Sequence, residues 1–328
     1  MLFNKLHQNT VASAVTIILM TAAMWIRLFV IDLAHITALD NPAMPLWCEW
    51  IQPWFGFSQW KSALLSFVLV LLTGFSISRM VSQHNLTNRQ GLMPLLIFGL
   101  MTSAFLSVQK LNPVLIYLFF VVHGIERLFG CPQQNRNINR CFDAAFFMGI
   151  GSLFYAKGLF FFPILIIGMG ILRVANLKSL MAAFIGLLLP FIFSFTYFFL
   201  IDKEGWFLTE LQENLIANPG QYNHTIFSRI FMTSIILLLV ISILAAFQHL
   251  PAQKIVNRFY FRVFIWILLI SSIAVLTPFF SMEMIPLSAV GASVLLTNFF
   301  EKIKRRWVKE IGFTAFVALI LAGYFFLY

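Results

Sequence analysis

Only 10% of the 328 residues are charged, so an ionisable group in or beside a long apolar run stands out. Charge in hydrocarbon is costly and usually faces a cavity or a partner. Arg27 lies about one helical turn from the end of the first such run, and Asp32 follows shortly after it. One reading lets Arg27 snorkel to the headgroups or pair with Asp32. The other lets both line a cavity, with Arg27 holding an anionic group such as a lipid phosphate. Glu126 and Arg127 at the end of the fourth run, and Asp143 at the start of the fifth, read as interfacial ion pairs. Metal and redox chemistry find little support. Cys48, Cys131 and Cys141 lack CxxC spacing, and His7, His35, His84, His123, His224 and His249 form no HExxH or His-x-His arrangement. There is no P-loop, no GxGxxG after a strand and no GxSxG elbow, so no metal, no cofactor and no ATP-driven step are expected.

The elements that must position these residues follow from hydropathy. A hydrophobic content of 60% and a mean hydropathy of +0.89 are incompatible with a water-facing surface, which carries about a quarter charged residues. The apolar stretches run about 15 to 23 residues, near what a hydrocarbon core asks of a helix. Continuous apolar runs also exclude the alternation of a barrel strand. The expected fold is therefore all-α: a polytopic transmembrane bundle of about ten or eleven helices, forming one integral membrane domain over 1–328. Spans are expected near 11–31, 62–81, 92–108, 114–129, 142–155 and 159–172, then 179–201, 230–248, 263–280, 285–300 and 311–328. The two flanking Tyr155-Ala156-Lys157-Gly158 are short enough to be half-crossings or tilted helices buried among neighbours. The first run is long, contains Arg27 and has no small-residue cleavage site after it, so it reads as an anchor.

Basic residues orient the bundle. With a cytoplasmic N-terminus the inner segments hold Lys5; Arg79 and Arg89; Arg127, Arg136 and Arg140; Arg173 and Lys178; Lys254, Arg258 and Arg262; and Lys302, Lys304, Arg305, Arg306 and Lys309. These are sixteen of the 22 Lys and Arg, which satisfies the positive-inside rule. The net charge of +10 is then a topology signal. Dispersed in this way it argues against nucleic acid as a partner. Two outer loops are long. The first, 32–61, places Trp47, Trp50, Trp54 and Trp60 among prolines, which predicts one or two short helices lying on the membrane. The second, 202–229, predicts a polar helical piece ended by Asn218-Pro219-Gly220 that caps the outer face or covers a cavity.

The block FDAAFFMGIGSLFYAKGLFFFPILIIGMGILR, Phe142 to Arg173, followed by AFIGLLLPFIFSFTYFFLIDKEGWF, Ala183 to Phe207, resembles the middle of class C membrane glycosyltransferases that use polyprenyl-phosphate sugars. In them a small-residue helix, here with Ala145, Gly149 and Gly151, ends in a turn, and an apolar helix returns. A span with a Gly-x-x-x-Pro type break then leads to an outer loop. The resemblance implies an acidic catalytic residue just after the first span, where Asp32 and Asp40 stand, acting as general base on an acceptor hydroxyl. It also implies a cation for the donor phosphate near the outer leaflet, with Arg27, Lys157 or Arg229 as candidates. The acids here are isolated rather than an Asp-Glu pair.

The segments ERLFG-loop-FDAAFFMGIGSLFY and MEMIPLSAVGASVLLTNFFEKIKRRW resemble an uncharacterised family of multi-pass inner-membrane proteins of Bacteroidetes. Some of its members are labelled beta-carotene monooxygenase. That label implies four histidine ligands to iron, which the scattered histidines do not support. Three functions follow as expectations: a lipid-linked-sugar glycosyltransferase at the outer leaflet of the inner membrane, a non-catalytic subunit or scaffold bound to other envelope proteins, or a transporter of lipids or small molecules. Membrane lipid is a partner in all three. Transport asks for internal repeats and midplane polar groups, which the sequence lacks.

Overall fold

Each expected span overlaps helical residues in the computed structural model, which describes residues 3, 6, 10–30, 44–56, 58–87, 91–131, 137–216, 225–249, 253–277, 280 and 282–326. In chain order the helices are α1 Val11–Val30, α2 Gln59–Gln83, α3 Met93–Thr102, α4 Pro113–Phe129, α5 Asn137–Ser152, α6 Phe162–Ile171 and α7 Leu177–Leu200. They continue with α8 Glu204–Ile216, α9 Ile226–His249, α10 Ile255–Leu276, α11 Ile285–Lys302 and α12 Arg306–Phe326. No strand occurs among the described residues.

Six helices, α1, α2, α7, α9, α10 and α12, are long and apolar enough to cross a bilayer, and half or less of each is buried within the protein. These form the lipid-facing ring. The other five expected spans are shorter, interrupted or less apolar, and several lie inside that ring. All ten residues of α3 are buried, and α11 is buried on every face from Ile285 to Asn298. A helix buried all round can be apolar all round. The expected 92–108 crossing is broken: α3 ends at Thr102, and a single helical turn resumes at Leu106–Gln109. Side chains satisfy the break. Ser103 Oγ donates to Leu100 O (2.8 Å), and the fully buried Gln109 donates through Nε2 to Ser103 O (3.2 Å) and to Met24 O of α1 (3.0 Å).

Local signals set the helix starts. Asn112 caps α4 by accepting from Leu115 N (3.1 Å), and Asn176 with Ser179 forms a reciprocal capping box on α7. The expected break at Gly186-x-x-x-Pro190 does not form; α7 runs continuously through Pro190. Its reason is packing. α5 lies against both α4 and α7, and the α5–α7 contact is made backbone to backbone through glycines. A Cβ on Gly186 would sit 2.5 Å from Phe142 O, and one on Gly149 would sit 2.6 Å from Leu187 O and 3.0 Å from the Pro190 ring. Small residues at helix contacts are how apolar helices associate where water supplies no driving force. Pro190 therefore seats a neighbour instead of ending a span. The Trp47–Gly56 helical segment and the start of α8 meet through Glu49 and Lys203 at one end of the bundle, the acidic end, while Arg79, Arg127 and Arg140 come together at another, the basic end.

Gly186→Val is expected to lower the stability of the detergent-purified protein by about 3 kcal/mol, the upper range for overpacking. Gly170→Ala, with nothing within 4 Å of the added Cβ, leaves it unchanged. Thermal unfolding of the two variants beside the parent checks both.

Candidate functional site

At the acidic end the two loops meet. Lys203 Nζ bonds Glu49 Oε1 at 2.9 Å, joining the Trp47–Gly56 segment to the start of α8. Beneath it Leu46, Leu153, Phe198 and Phe207 form a small apolar cluster. Trp50, Trp54 and Trp60 remain exposed, as expected of rings placed at a headgroup layer. The polar helical piece expected in 202–229 is α8.

The candidate site residues are distributed as follows. Asp32 and Asp40 lie outside the described residues. Arg27, on α1, donates to Tyr324 O of α12 and lies 5.3 Å from the centre of the Tyr324 ring, so a cation–π contact and a carbonyl bond tie α1 to α12. Lys157 sits in the 3-10 turn Ala156–Phe161, only 2% exposed. The turn is pinned by Tyr117 Oη donating to Gly158 O (2.9 Å). Arg229 is exposed on the first turn of α9. α1 packs mainly on α2 and α3, the Lys157 turn on α5, α6 and α8, and α9 on α11 and α12. These cations are thus carried by elements with different neighbours.

Between α9, α10, α11 and α12, beside the α3 break, lies a slot of about 50 Å³. Phe105, Phe231, Ile235, Leu239, Val275 and Ile320 supply most of its apolar wall. Arg229 precedes Phe231 by two positions, and Tyr324, which holds Arg27, follows Ile320 by one turn. The slot is far smaller than the hundreds of cubic ångströms of a ligand site, and it suits a stretch of hydrocarbon chain.

The basic end holds a different cavity, polar and about 390 Å³. α4 presents His123, Glu126 and Arg127 on consecutive turns, α2 brings Arg79 and His84, and α5 brings Arg140. Glu126 Oε1 is 3.9 Å from Arg79 Nε. The pairing expected for this carboxylate at the interface therefore runs between helices. Arg127 lies over the Phe147 ring at 6.0 Å. Sequence reading left this cluster unassembled, although the His123, Glu126, Arg127 spacing on one face of α4 was its signal. Beside it the free thiols Cys131 and Cys141 stand 3.9 Å apart, both fully buried. No group of three or more metal-ligating side chains forms among the described residues.

A ring of apolar helices around buried short ones, with charge confined to its ends, defines a multi-pass all-helical membrane protein. Residues 54–327 match the model of a family of unknown function, DUF6427, and the chain belongs to that family. Arg27, Asp32 and Asp40 precede the matched segment, while the polar cavity lies within it. No curated protein and no solved structure matches the chain.

The thiol geometry makes a prediction. A membrane-permeant oxidant such as diamide should close a Cys131–Cys141 disulfide, so that alkylation after denaturation labels Cys48 alone. Labelling of all three cysteines would contradict the observed approach.

Proposed function

We propose that this protein binds an anionic long-chain lipid at its acidic end, and that it uses a polyprenyl-phosphate sugar there as donor for glycosyl transfer. The supporting observation is the apolar slot beside the α3 break, with Arg229 on α9, one of its walls, and Arg27 of α1 bonded to Tyr324 of α12, another of its walls. An isoprenoid segment would enter between α9 and α12, and its phosphate would lie at the level of these guanidinium groups, which suit phosphate geometry. The slot cannot hold a sugar, so the transferred group would stay among the acidic-end loops. In this reading Asp32, just beyond Arg27 in the chain, takes the proton of the acceptor hydroxyl as its oxygen forms the new glycosidic bond and the polyprenyl phosphate leaves. Asp40 is the alternative base. Lys157, buried under the α8 cap, supports the turn from below and faces the donor less directly. In this reading the positive-inside rule puts the arginine-bearing end toward the cytoplasm, and the acidic end then faces the outer leaflet of the inner membrane.

The purified chain in nanodiscs is expected to retain polyprenyl phosphate. Arg229→Gln and Arg27→Gln should each weaken binding about tenfold, the loss of one charge-assisted contact of about 1.4 kcal/mol. Ile235→Trp, which fills the slot, should abolish it; binding that survives would show the chain sits elsewhere. Asp32→Asn should leave folding and lipid binding intact and abolish the glycan product. Unchanged glycans would remove the catalytic assignment and leave a lipid-binding subunit that copurifies with envelope partners.

A further inference from the structure

The polar cavity at the basic end is independent of the lipid slot at the opposite end, and its charges do not balance. Its walls carry three arginines, Arg79, Arg127 and Arg140, against one carboxylate, Glu126. Glu126 lies toward Arg79. Arg127 and Arg140 have no carboxylate within ion-pair distance among the described residues. Two guanidinium groups around one concavity without a protein counterion focus a positive potential into it. The expected interfacial arginine instead fans into the headgroups singly.

The surroundings hold these groups in place. Gly130 leaves the room that the Arg140 guanidinium occupies, since any side chain there would collide with it. The floor is an aromatic stack: His84 lies 4.7 Å from the Tyr260 ring and 5.6 Å from Phe129, and Tyr260 Oη donates to Phe129 O at 2.8 Å. His84 Nδ1 is buried with no protein partner. Burial, and secondarily the charge of Arg140, push the His84 imidazole below its usual range, so at neutral pH it is uncharged and free to accept a proton from a ligand hydroxyl or donate one. His123 donates through Nδ1 to Phe119 O at 2.8 Å, which leaves its other ring nitrogen for the cavity side of the helix. At about 390 Å³ the space falls within the range of small-ligand sites.

We propose that this cavity is a binding site for a phosphate-bearing anion, gripped by Arg127 and Arg140, with Arg79 held at its edge by Glu126 and His84 as a neutral hydrogen-bonding partner. The phosphate comes either from a free solute on the basic side or from an anionic lipid headgroup in that leaflet. Arginine fits both, because its planar fork meets two phosphate oxygens at once.

The test uses the full chain in nanodiscs of neutral phosphatidylcholine, with inorganic phosphate exchanged for chloride at constant ionic strength and the thermal unfolding midpoint as readout. A parallel series replaces part of the phosphatidylcholine by phosphatidylglycerol without phosphate in solution. A saturable rise with inorganic phosphate identifies a free-solute site; a rise with phosphatidylglycerol alone identifies the headgroup. In either case Arg127→Gln and Arg140→Gln should raise the half-saturating concentration about tenfold, the equivalent of one lost charged contact, while Arg306→Gln, exposed on α12, should not. Arg127 is itself exposed, so its variant keeps the test decisive if Arg140→Gln fails to fold. Absence of a rise in both series, or a rise equal in Arg127→Gln and the parent, would overturn the proposal.

Discussion

Backbone N–H and C=O groups must find partners inside the protein wherever hydrocarbon replaces water, and the arrangement of this bundle follows from where that constraint is hardest to meet. It is hardest at the breaks. Residues 103–105 interrupt a run that would otherwise cross, and they are buried on all sides, with Ser103 and Gln109 supplying the missing bonds. The turn after α5 is treated similarly: Tyr117 reaches its carbonyl at Gly158, and α8 packs over it. Irregular backbone at this depth is tolerated only when enclosed by protein. The broken elements therefore sit inside, and the six unbroken apolar helices are left to face the lipid. The central position of α11, in contact with α3, α4, α9, α10 and α12, is the other half of the same solution.

Enclosure also decides what each cavity can be. Beside the α3 break the surrounding helices offer only Phe, Leu, Ile, Val and Met with two serines, Ser272 and Ser288. Of these, Ser288 donates its hydroxyl to Ile285 O at 2.8 Å. A slot with such walls accommodates hydrocarbon and rejects anything needing several hydrogen bonds. At the basic end, polar residues from the last turns of α2 and α4 and the first of α5 line one shared cavity. The two cavities thus divide the molecule chemically as well as spatially.

Much of the fold was legible in sequence because long apolar runs carry their own length measure. Val11–Val30, Gln59–Gln83 and Ile226–His249 match the expected crossings within a few residues. Composition could not separate the lipid-facing runs from those buried on every face, since both are uniformly apolar; α3 and α11 were counted as crossings like the rest. Nor could it find the break at 103–105, where Ser103-Ala104-Phe105 resembles its surroundings. Pro190 misled in the opposite direction, because its effect depends on Gly149 of a neighbouring helix receiving the ring. Candidate site residues fared similarly. Arg27 was visible as a charge in an apolar run, but its partner Tyr324 lies at the far end of the chain. The Cys131–Cys141 approach depended on two helix ends packing together, which nine intervening residues do not reveal.

The basic-end cavity shows why charge count alone is a poor guide to function in such a protein. Topology requires arginines on this side and is indifferent to whether they converge. Three further features accompany convergence: a glycine at position 130 beside the Arg140 guanidinium, a carboxylate, Glu126, near Arg79, and an aromatic stack that joins the end of α2 to α4 and α10 through His84, Phe129 and Tyr260. The stack gives the cavity a rigid floor, so the cost of ordering it is met in folding and not on binding. An aromatic floor beneath a cationic rim suits a compact multivalent anion, whereas arginines serving topology alone would need no such floor.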